Sequence, residues 1–299
     1  MKSDRVPYGG WPNCIRLANN EIELIATTDV GPRIVRFGFI GDANEFAEYP
    51  DQEGKTGGNE FLAYGGHRLW IAPESKALTY HPDNGMVEWT RENGVLHLKA
   101  PVESTTRIRK ELRIHLDAKE NRVQVVHELT NHNPFAVTLS AWALSVMAPG
   151  GRAIIPQEPY RSHPEALLPA RPLVLWSYTK MNDPRWTWGE KYIQLGQDPK
   201  ATTPQKAGML DGQGWAGYAN GDHLFIKRFY SNPDAMFPDF GCNVEIFTNA
   251  NMLEVESLSP LTTLDPGGTL THEEEWSLHR GISFGNSEGE IEKVFHNLL

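Results

Sequence analysis

Two glutamates, Glu254 and Glu256, stand two residues apart in a stretch that also carries Leu253 and Val255. In a β-strand the side chains alternate between the two faces of the sheet, so both carboxylates would lie on one face. When two carboxylates are buried side by side, the pKa of one of them rises, and such a pair suits general acid–base catalysis. The alternative is that one or both lie at a solvated sheet edge.

Two histidines are candidates for the partner of such a carboxylate, because imidazole titrates near neutral pH. His67 follows two glycines, which let the backbone come close to a ligand. His81 begins a His-Pro-Asp turn. For each of them, a loop histidine bonded to the backbone is an equally good interpretation.

Three cationic residues stand near aromatic residues in the sequence, and they are Arg68, Arg185 and Lys227. Arginine offers a forked set of donors that suits a carboxylate or a phosphate. If these cations meet at one place, the ligand is expected to be anionic. The alternative is surface charge whose aliphatic stems lie on the aromatic rings. Glu74, close to Trp70, is expected to hold a ligand hydroxyl or to pair with Arg68.

The charge of the chain excludes some classes of partner. The 299 residues carry a formal net charge of −10, with a sequence pI of about 5.6. Nucleic acids and anionic membranes require a basic surface, so neither is expected to bind. Two cysteines are too few for a disulfide framework. Neither a signal peptide nor a membrane span is predicted from the apolar runs, so we expect a cytoplasmic protein.

The sequence carries no signature of a metal or cofactor site. The 11 histidines are scattered without H-x-x-x-H spacing, and there is no C-x-x-C pair. There is also no glycine-rich phosphate loop and no G-x-S-x-G elbow. We therefore expect neither a metal ion nor a cofactor.

The elements that would position these groups are almost all strands. Alternating and β-branched stretches predict strands at 21–26, 34–39, 94–99, 106–116, 122–129, 137–147, 223–229, 243–247, 252–257 and 269–278. One helical pattern is present, at 288–299. Residues 148–215, rich in Pro, Gly and Trp, are predicted to form an irregular insertion that covers the sheet. The pattern predicts one all-β domain over residues 1–299, either a sandwich or a barrel.

Four segments, taken in order, resemble the galactose mutarotase-like (aldose 1-epimerase-like) superfamily. Residues 20–44 (NEIELIATTDVGPRIVRFGFIGDAN) are similar to its opening hairpin. Residues 65–74 (GGHRLWIAPE) and 81–89 (HPDNGMVEW) are similar to its G-G-x-x-x-W and H-G blocks. Residues 125–142 resemble its strand, Thr-Asn turn and strand, and 253–267 its closing glutamate strand and Pro-Gly turn. The likeness is greatest to a branch marked by GGHRLW-APE and E-x-E-x-L-S-P.

The resemblance implies an all-β supersandwich of large antiparallel sheets with a short C-terminal helix and a sugar groove on one concave sheet face. It makes Glu256 the expected base, and His81 the expected acid, although Pro-Asp is inserted into the H-G block. His67 is the rival acid, and Glu254 is expected to bind the substrate. A further histidine of aldose 1-epimerases is absent from residues 139–145 (LSAWALS), where Trp142 would stack on a sugar or belong to the core.

The function that the resemblance implies is that of a sugar epimerase or mutarotase, in which a glutamate and a histidine act as paired general acid and base. A non-catalytic sugar-binding protein is the first alternative, and a polysaccharide lyase or glycoside hydrolase on the same scaffold is the second. The expected ligand is a sugar or oligosaccharide. The sequence identifies neither the sugar that binds nor the oligomeric state of the protein.

Overall fold

Short strands joined by tight turns account for most of the chain. In a computed structural model, which describes residues 2–299, there are 21 strands and one helix. In chain order these are β1 (Lys2–Tyr8), β2 (Trp11–Ala18), β3 (Ile22–Thr27), β4 (Arg33–Phe39), β5 (His67–Ala72), β6 (Glu88–Glu92), β7 (Val95–Lys99), β8 (Ile108–Leu116), β9 (Arg122–Asn131), β10 (Val137–Met147), β11 (Arg152–Pro156), β12 (Leu173–Leu175), β13 (Trp186–Trp188), β14 (Tyr192–Gly196), β15 (Gln205–Met209), β16 (Trp215–Asn220), β17 (His223–Phe229), β18 (Val244–Thr248), β19 (Leu253–Leu258), β20 (Thr262–Leu264), β21 (Thr269–His279) and α1 (Glu288–His296).

The strands form two large sheets in which neighbouring strands are antiparallel. The front sheet has the order β1-β2-β3-β4-β5-β10-β19-β18-β15-β12, with β20 paired to β10. The back sheet has the order β13-β14-β11-β16-β17-β21-β9-β8-β7-β6. The prediction of an all-β supersandwich with one short C-terminal helix is confirmed.

The two sheets bury the main core between them. Aromatic rings of both sheets meet there, with Phe37 and Trp276 at a centroid distance of 5.6 Å and Phe37 and Phe225 at 6.0 Å. In the back sheet, β9 alternates between buried and more exposed residues, as a sheet with one solvated face should. In the front sheet, by contrast, every residue of β5 and β19 is buried. The outer face of the front sheet must therefore be covered as well.

Connecting segments cover this outer face. The ring of Phe61 lies 5.4 Å from that of Trp70, and Tyr80 lies 5.1 Å from the same ring. Trp176 approaches from the region 148–215 and lies over the ammonium of Lys206. The region 148–215, predicted to be an irregular insertion with few strands, contains the five short strands β11 to β15. Each of those strands has five residues or fewer, which is too short for a clear periodicity.

The C-terminal helix packs on the back sheet. α1 begins at Glu288, as predicted, but it ends at His296 rather than at residue 299. Ile291 and Phe295 are its buried residues, and the ring of Phe295 stacks on Trp215 at 4.5 Å. Across residues 2–299, no helix combines the length and the apolar character needed to cross a membrane.

Candidate functional site

Glu254 and Glu256 lie on the same face of β19, as the spacing predicts, and this is the covered outer face of the front sheet. Glu256 is fully buried. Its Oε2 accepts a hydrogen bond from Trp142 Nε1 at 2.7 Å and one from Lys206 Nζ at 3.2 Å. Its Oε1 has no hydrogen-bond partner. The carboxylate is thus anchored through one oxygen and has the other unpaired.

A second buried carboxylate faces Glu256 from the neighbouring strand. Glu245 of β18 is the direct cross-strand partner of Glu256. Like charges placed opposite one another destabilise a sheet unless a cation lies between them. Lys206 of β15 supplies that cation, with its Nζ 2.7 Å from Glu245 Oε2. The geometry is that of an ion pair, since neither oxygen of Glu245 accepts a well-directed hydrogen bond.

In the triad of Lys206, Glu245 and Glu256, burial and charge shift the pKa values of Lys206 and Glu245. Burial raises the pKa of Glu245 well above its usual range, and the attraction of Lys206 offsets only part of that rise. Burial would lower the pKa of Lys206, but Glu245 and Glu256 outweigh it, so the pKa of Lys206 is raised. Lys206 therefore remains a protonated ammonium group at neutral pH.

Glu254 has its own cation on the same face. Arg68 of β5 donates from its Nη2 to Glu254 Oε1 at 2.8 Å, and its guanidinium lies 4.3 Å from the ring centroid of Trp70. Burial raises the pKa of Glu254, and Arg68 opposes the rise. Trp70 packs in turn on Trp142 at 5.3 Å. The rings of Trp70 and Trp142 thus link the two ion-pair groups, since Trp70 contacts Arg68 and Trp142 donates to Glu256.

A cleft of about 710 Å³ opens above these residues. Its walls include Glu74, Lys76, Tyr80, Trp176 and Asp239. Tyr80 donates a hydrogen bond from its hydroxyl to Glu74, and its ring packs on Trp70. The ring of Trp176 lies 4.7 Å from Lys206 Nζ, between the cleft and the buried triad. The cleft and the triad therefore meet at Trp176.

The structure does not bring either predicted histidine to Glu256. His67 neighbours Arg68 on β5, so its side chain leaves the opposite face of the sheet and is fully buried between the two sheets. His81 lines a separate pocket of about 130 Å³, where its Nδ1 lies 2.9 Å from Thr105 Oγ1. Among residues 2–299, no contact joins His81 to either glutamate of β19.

The predicted cations do not converge either. Arg185 forms an ion pair with Asp183, in which Arg185 Nε lies 2.9 Å from Asp183 Oδ1. Lys227 lies between the sheets, where its Nζ is 2.9 Å from Glu274 Oε1. Of the three, only Arg68 reaches the candidate site. The predicted substrate-binding residues found together on the outer face are Arg68, Trp70, Glu74, Trp142 and Glu254.

Lys227 and Glu274 belong to an inner cluster between the sheets, behind the candidate site. Besides Glu274, the ammonium of Lys227 donates to the carbonyl oxygens of Val255 at 3.0 Å and Ala143 at 3.4 Å. These carbonyls belong to β19 and β10, the strands that carry Glu256 and Trp142 on their other face. Burial lowers the pKa of Lys227, although Glu274 opposes the change. Burial would raise the pKa of Glu274, but Lys227 and the neighbouring histidines together outweigh burial, and the pKa falls.

Three histidines complete the inner cluster. His127 Nδ1 donates to the carbonyl of His272 at 2.9 Å, so the Nε2 of the neutral ring is an acceptor. His67 Nε2 lies 2.7 Å from that acceptor and donates to it. The hydroxyl of Ser145 then donates to His67 Nδ1 at 3.0 Å. One set of neutral tautomers satisfies all these contacts, and burial lowers the pKa of all three histidines, that of His272 to about 3.

The inner cluster also resembles a metal site in its donor types. Ligand atoms of His67, His127 and Glu274 lie within 4.8 Å of one another. Histidine nitrogens and a carboxylate suit zinc. However, a divalent ion beside Lys227 would leave two positive charges uncompensated, because Glu274 is the one carboxylate of the cluster. Buried charges without partners are strongly unfavourable, so the neutral hydrogen-bonded network accounts better for this arrangement.

Comparison of whole structures places the fold among known proteins. No family model matches the sequence, and no curated protein matches it. A galactose mutarotase-like protein from Lactobacillus casei is similar over 89% of this chain and 100% of its own, with a TM-score of 0.57 and 11% identity. A candidate aldose 1-epimerase from Klebsiella pneumoniae is similar over 98% of this chain and 85% of its own, with a TM-score of 0.59 and 13% identity.

A third structure, a galactose mutarotase related enzyme from Lactobacillus acidophilus, has a TM-score of 0.51 and 11% identity, over 92% of this chain and 100% of its own. Likenesses at such low identity show the fold. The chain has the galactose mutarotase-like fold, in agreement with the sequence resemblance.

The sequence did not reveal the buried site residues Lys206 and Glu245, nor the cleft residues Tyr80 and Trp176. Lys206 and Glu245 each lie on a short strand in the second half of the chain, and their contact depends on the register of β15, β18 and β19. One local signal for Glu245 is present in the sequence. In Val244-Glu245-Ile246 a charged residue lies between two apolar neighbours.

Proposed function

We propose that this protein is a sugar epimerase of the mutarotase type, with Glu256 as its general base. The observation that carries the proposal is the position of Glu256. Its carboxylate lies on the outer face of the front sheet, held by Trp142 and Lys206, beneath a cleft with aromatic walls. The fold shared with mutarotase-like proteins supports the same function.

The reaction requires a base and a proton donor. The base removes the proton of the anomeric hydroxyl, the bond from C1 to the ring oxygen breaks, and the ring oxygen takes up a proton. After rotation about C1–C2 the two roles reverse. Glu256 Oε1, which has no partner, is the oxygen available to take the proton.

We assign the donor role to Lys206 in place of a histidine. Its ammonium lies 3.2 Å from Glu256, and its raised pKa keeps it charged. A charged ammonium stabilises the negative charge that develops on the ring oxygen and transfers a proton to it. The proton returns to Lys206 when the ring closes.

Because Glu256 is fully buried, the segments that cover the outer face of the front sheet must move before a substrate can enter. Trp176 lies over Lys206 and is only partly buried. The connecting segment 157–172 before it has no strand or helix. Opening of this segment, followed by closure over the sugar, would expose Glu256 and then exclude water from it.

Exchange NMR between the α- and β-anomers of unlabelled sugars tests this proposal directly. The wild type should accelerate anomeric exchange of at least one sugar in a panel of aldoses. Glu256→Gln should reduce that rate at least about 100-fold, the usual contribution of general base catalysis. Glu273→Gln, which alters an exposed carboxylate on β21, is the matched control and should retain the rate. Equal activity of Glu256→Gln and wild type would refute the role of Glu256.

A non-catalytic sugar-binding protein is the second candidate. The observation in its favour is that no histidine contacts Glu256 among the residues that the structure describes. Sugar binding to the wild type without acceleration of anomeric exchange would establish this second function and exclude the first.

A further inference from the structure

The walls of the cleft favour a positively charged ligand group. Glu74 and Asp239 lie on these walls with one cation, the exposed Lys76. The carboxylate of Glu74 already accepts a hydrogen bond from the hydroxyl of Tyr80. The carboxylate of Asp239 makes no hydrogen bond or ion pair with any of residues 2–299, and it is therefore free to receive a donor.

The floor of the site is also short of donors. Glu245 is fully buried, and its pKa is raised by burial first and, to a smaller extent, by the charge of Asp239. A buried carboxylate normally accepts several hydrogen bonds. Glu245 has the ion pair with Lys206 at 2.7 Å but accepts no well-directed hydrogen bond through either oxygen, and Oε1 of Glu256 accepts none. A ligand rich in donors would satisfy these oxygens, whereas an anionic ligand would add further acceptors.

The cations that would favour an anionic sugar are already neutralised. Arg68 is paired with Glu254, and Arg185 is paired with Asp183. Lys227 is enclosed between the sheets with Glu274. None of the three presents a free charge to the cleft.

We propose that the cleft binds an amino sugar, with the ammonium group of the sugar against Asp239 and its hydroxyls directed toward Glu245 and Glu256. This inference rests on the proposed function for the nature of the ligand. Beyond that function, the ligand carries a positive charge, and Asp239 is the residue that determines specificity for it. The rings of Tyr80 and Trp176 flank the sugar.

Calorimetric titration of the full chain at low salt tests this inference, with glucosamine, glucose, N-acetylglucosamine and glucuronate as probes. Glucosamine should bind about fivefold more tightly than glucose. This preference corresponds to the upper end of the free energy that a solvent-exposed ion pair contributes. N-acetylglucosamine, which has the same ring without the charge, should show no such advantage, and glucuronate should bind most weakly. Added salt should reduce the preference for glucosamine.

The variant Asp239→Asn should bind glucosamine and glucose within about twofold of each other. Asparagine tolerates the left-handed backbone that residue 239 adopts, with φ of 50°, so the loop should keep its shape. Asp234→Asn, an exposed carboxylate in the same loop, is the matched control and should keep the full preference. Equal binding of glucosamine and glucose by the wild type would overturn the inference, and so would tightest binding of glucuronate or a preference that survives Asp239→Asn.

Exchange NMR on the same samples separates this inference from the proposed function. Anomeric exchange without a preference for the ammonium group overturns the inference and leaves the epimerase proposal standing. A preference for glucosamine without anomeric exchange supports the inference and refutes the epimerase. Failure to bind any of the four sugars overturns the inference as well.

Discussion

Replacing Lys227 with methionine is expected to destabilise the protein severely, because it removes the only cation of the inner cluster and leaves Glu274 buried without it. Removing one partner of a buried ion pair costs about 3–5 kcal/mol. Glu274 would keep two donors, the hydroxyl of Ser257 at 2.5 Å and Trp276 Nε1 at 2.8 Å. These two donors do not neutralise the charge.

The cost has an upper limit, because Glu274 in the variant can take up a proton. At pH 7, protonating a carboxyl group whose unfolded pKa is about 4.3 costs about 3.7 kcal/mol. We therefore expect Lys227→Met to lower the free energy of unfolding by about 3–4 kcal/mol at pH 7. The loss should shrink by about 1.4 kcal/mol for each unit that the pH is lowered toward 5.

Urea unfolding followed by tryptophan fluorescence measures these changes. In the double variant Lys227→Met/Glu274→Gln the buried charge is absent, so at least about 2 kcal/mol of the loss should be recovered. Lys191→Met, which breaks the exposed ion pair with Glu292, is the control and should leave the midpoint nearly unchanged. A loss below about 1 kcal/mol for Lys227→Met, or additive losses in the double variant, would refute the assignment of this pair as a buried, coupled charge pair.

Three further predictions concern other parts of the molecule. His272 has a pKa of about 3 in the folded chain and about 6.5 in the unfolded chain, so protonation of His272 favours unfolding. Between pH 6.5 and 5, the wild type should lose about 1.6 kcal/mol more stability than His272→Gln in urea titrations, and parallel curves for the two proteins would contradict this. Gly66→Ala should lower the thermal midpoint of unfolding more than Gly57→Ala. Both glycines have positive φ, but only at Gly66 would an added Cβ lie 2.2 Å from a backbone carbonyl oxygen, that of Ile34. Equal shifts of the midpoint would contradict the predicted clash. Burial raises the pKa of the Cys14 thiol to about 11 and also that of Cys242, so Ellman's reagent should react with neither thiol until the chain is unfolded, and rapid reaction of the native protein would argue against their burial.

The strands were predictable where alternation extends over many residues. β21 (Thr269–His279) was predicted at 269–278, because its buried and exposed residues alternate along nearly its full length. The strands between residues 148 and 215 were missed, since a strand of three to five residues shows too few alternations to be distinguished from a loop. The common face of Glu254 and Glu256 followed from their even spacing alone.

The site was harder to predict than the strands, for a geometric reason. His67 and Arg68 were both placed in the groove, yet adjacent residues of a strand leave opposite faces, so one strand cannot present both. The sequence does not indicate which face of β5 is turned toward the back sheet. The pairing of Lys206 with Glu256, 50 residues apart, depends on the order of strands in the front sheet, which local patterns do not contain.

The hydrogen bonds from Lys227 to the front sheet also affect how the two sheets can move against each other. The hydrophobic contacts between the two sheets are non-directional, so they fix the position of one sheet against the other less sharply than hydrogen bonds do. The bonds from Lys227 to the carbonyls of Ala143 and Val255 are directional and would break after about an ångström of displacement. They give the sandwich shear stiffness directly behind Glu256. Under the proposed mechanism, this stiffness would keep the carboxylate of Glu256 at a constant height above the back sheet while the covering segments open and close.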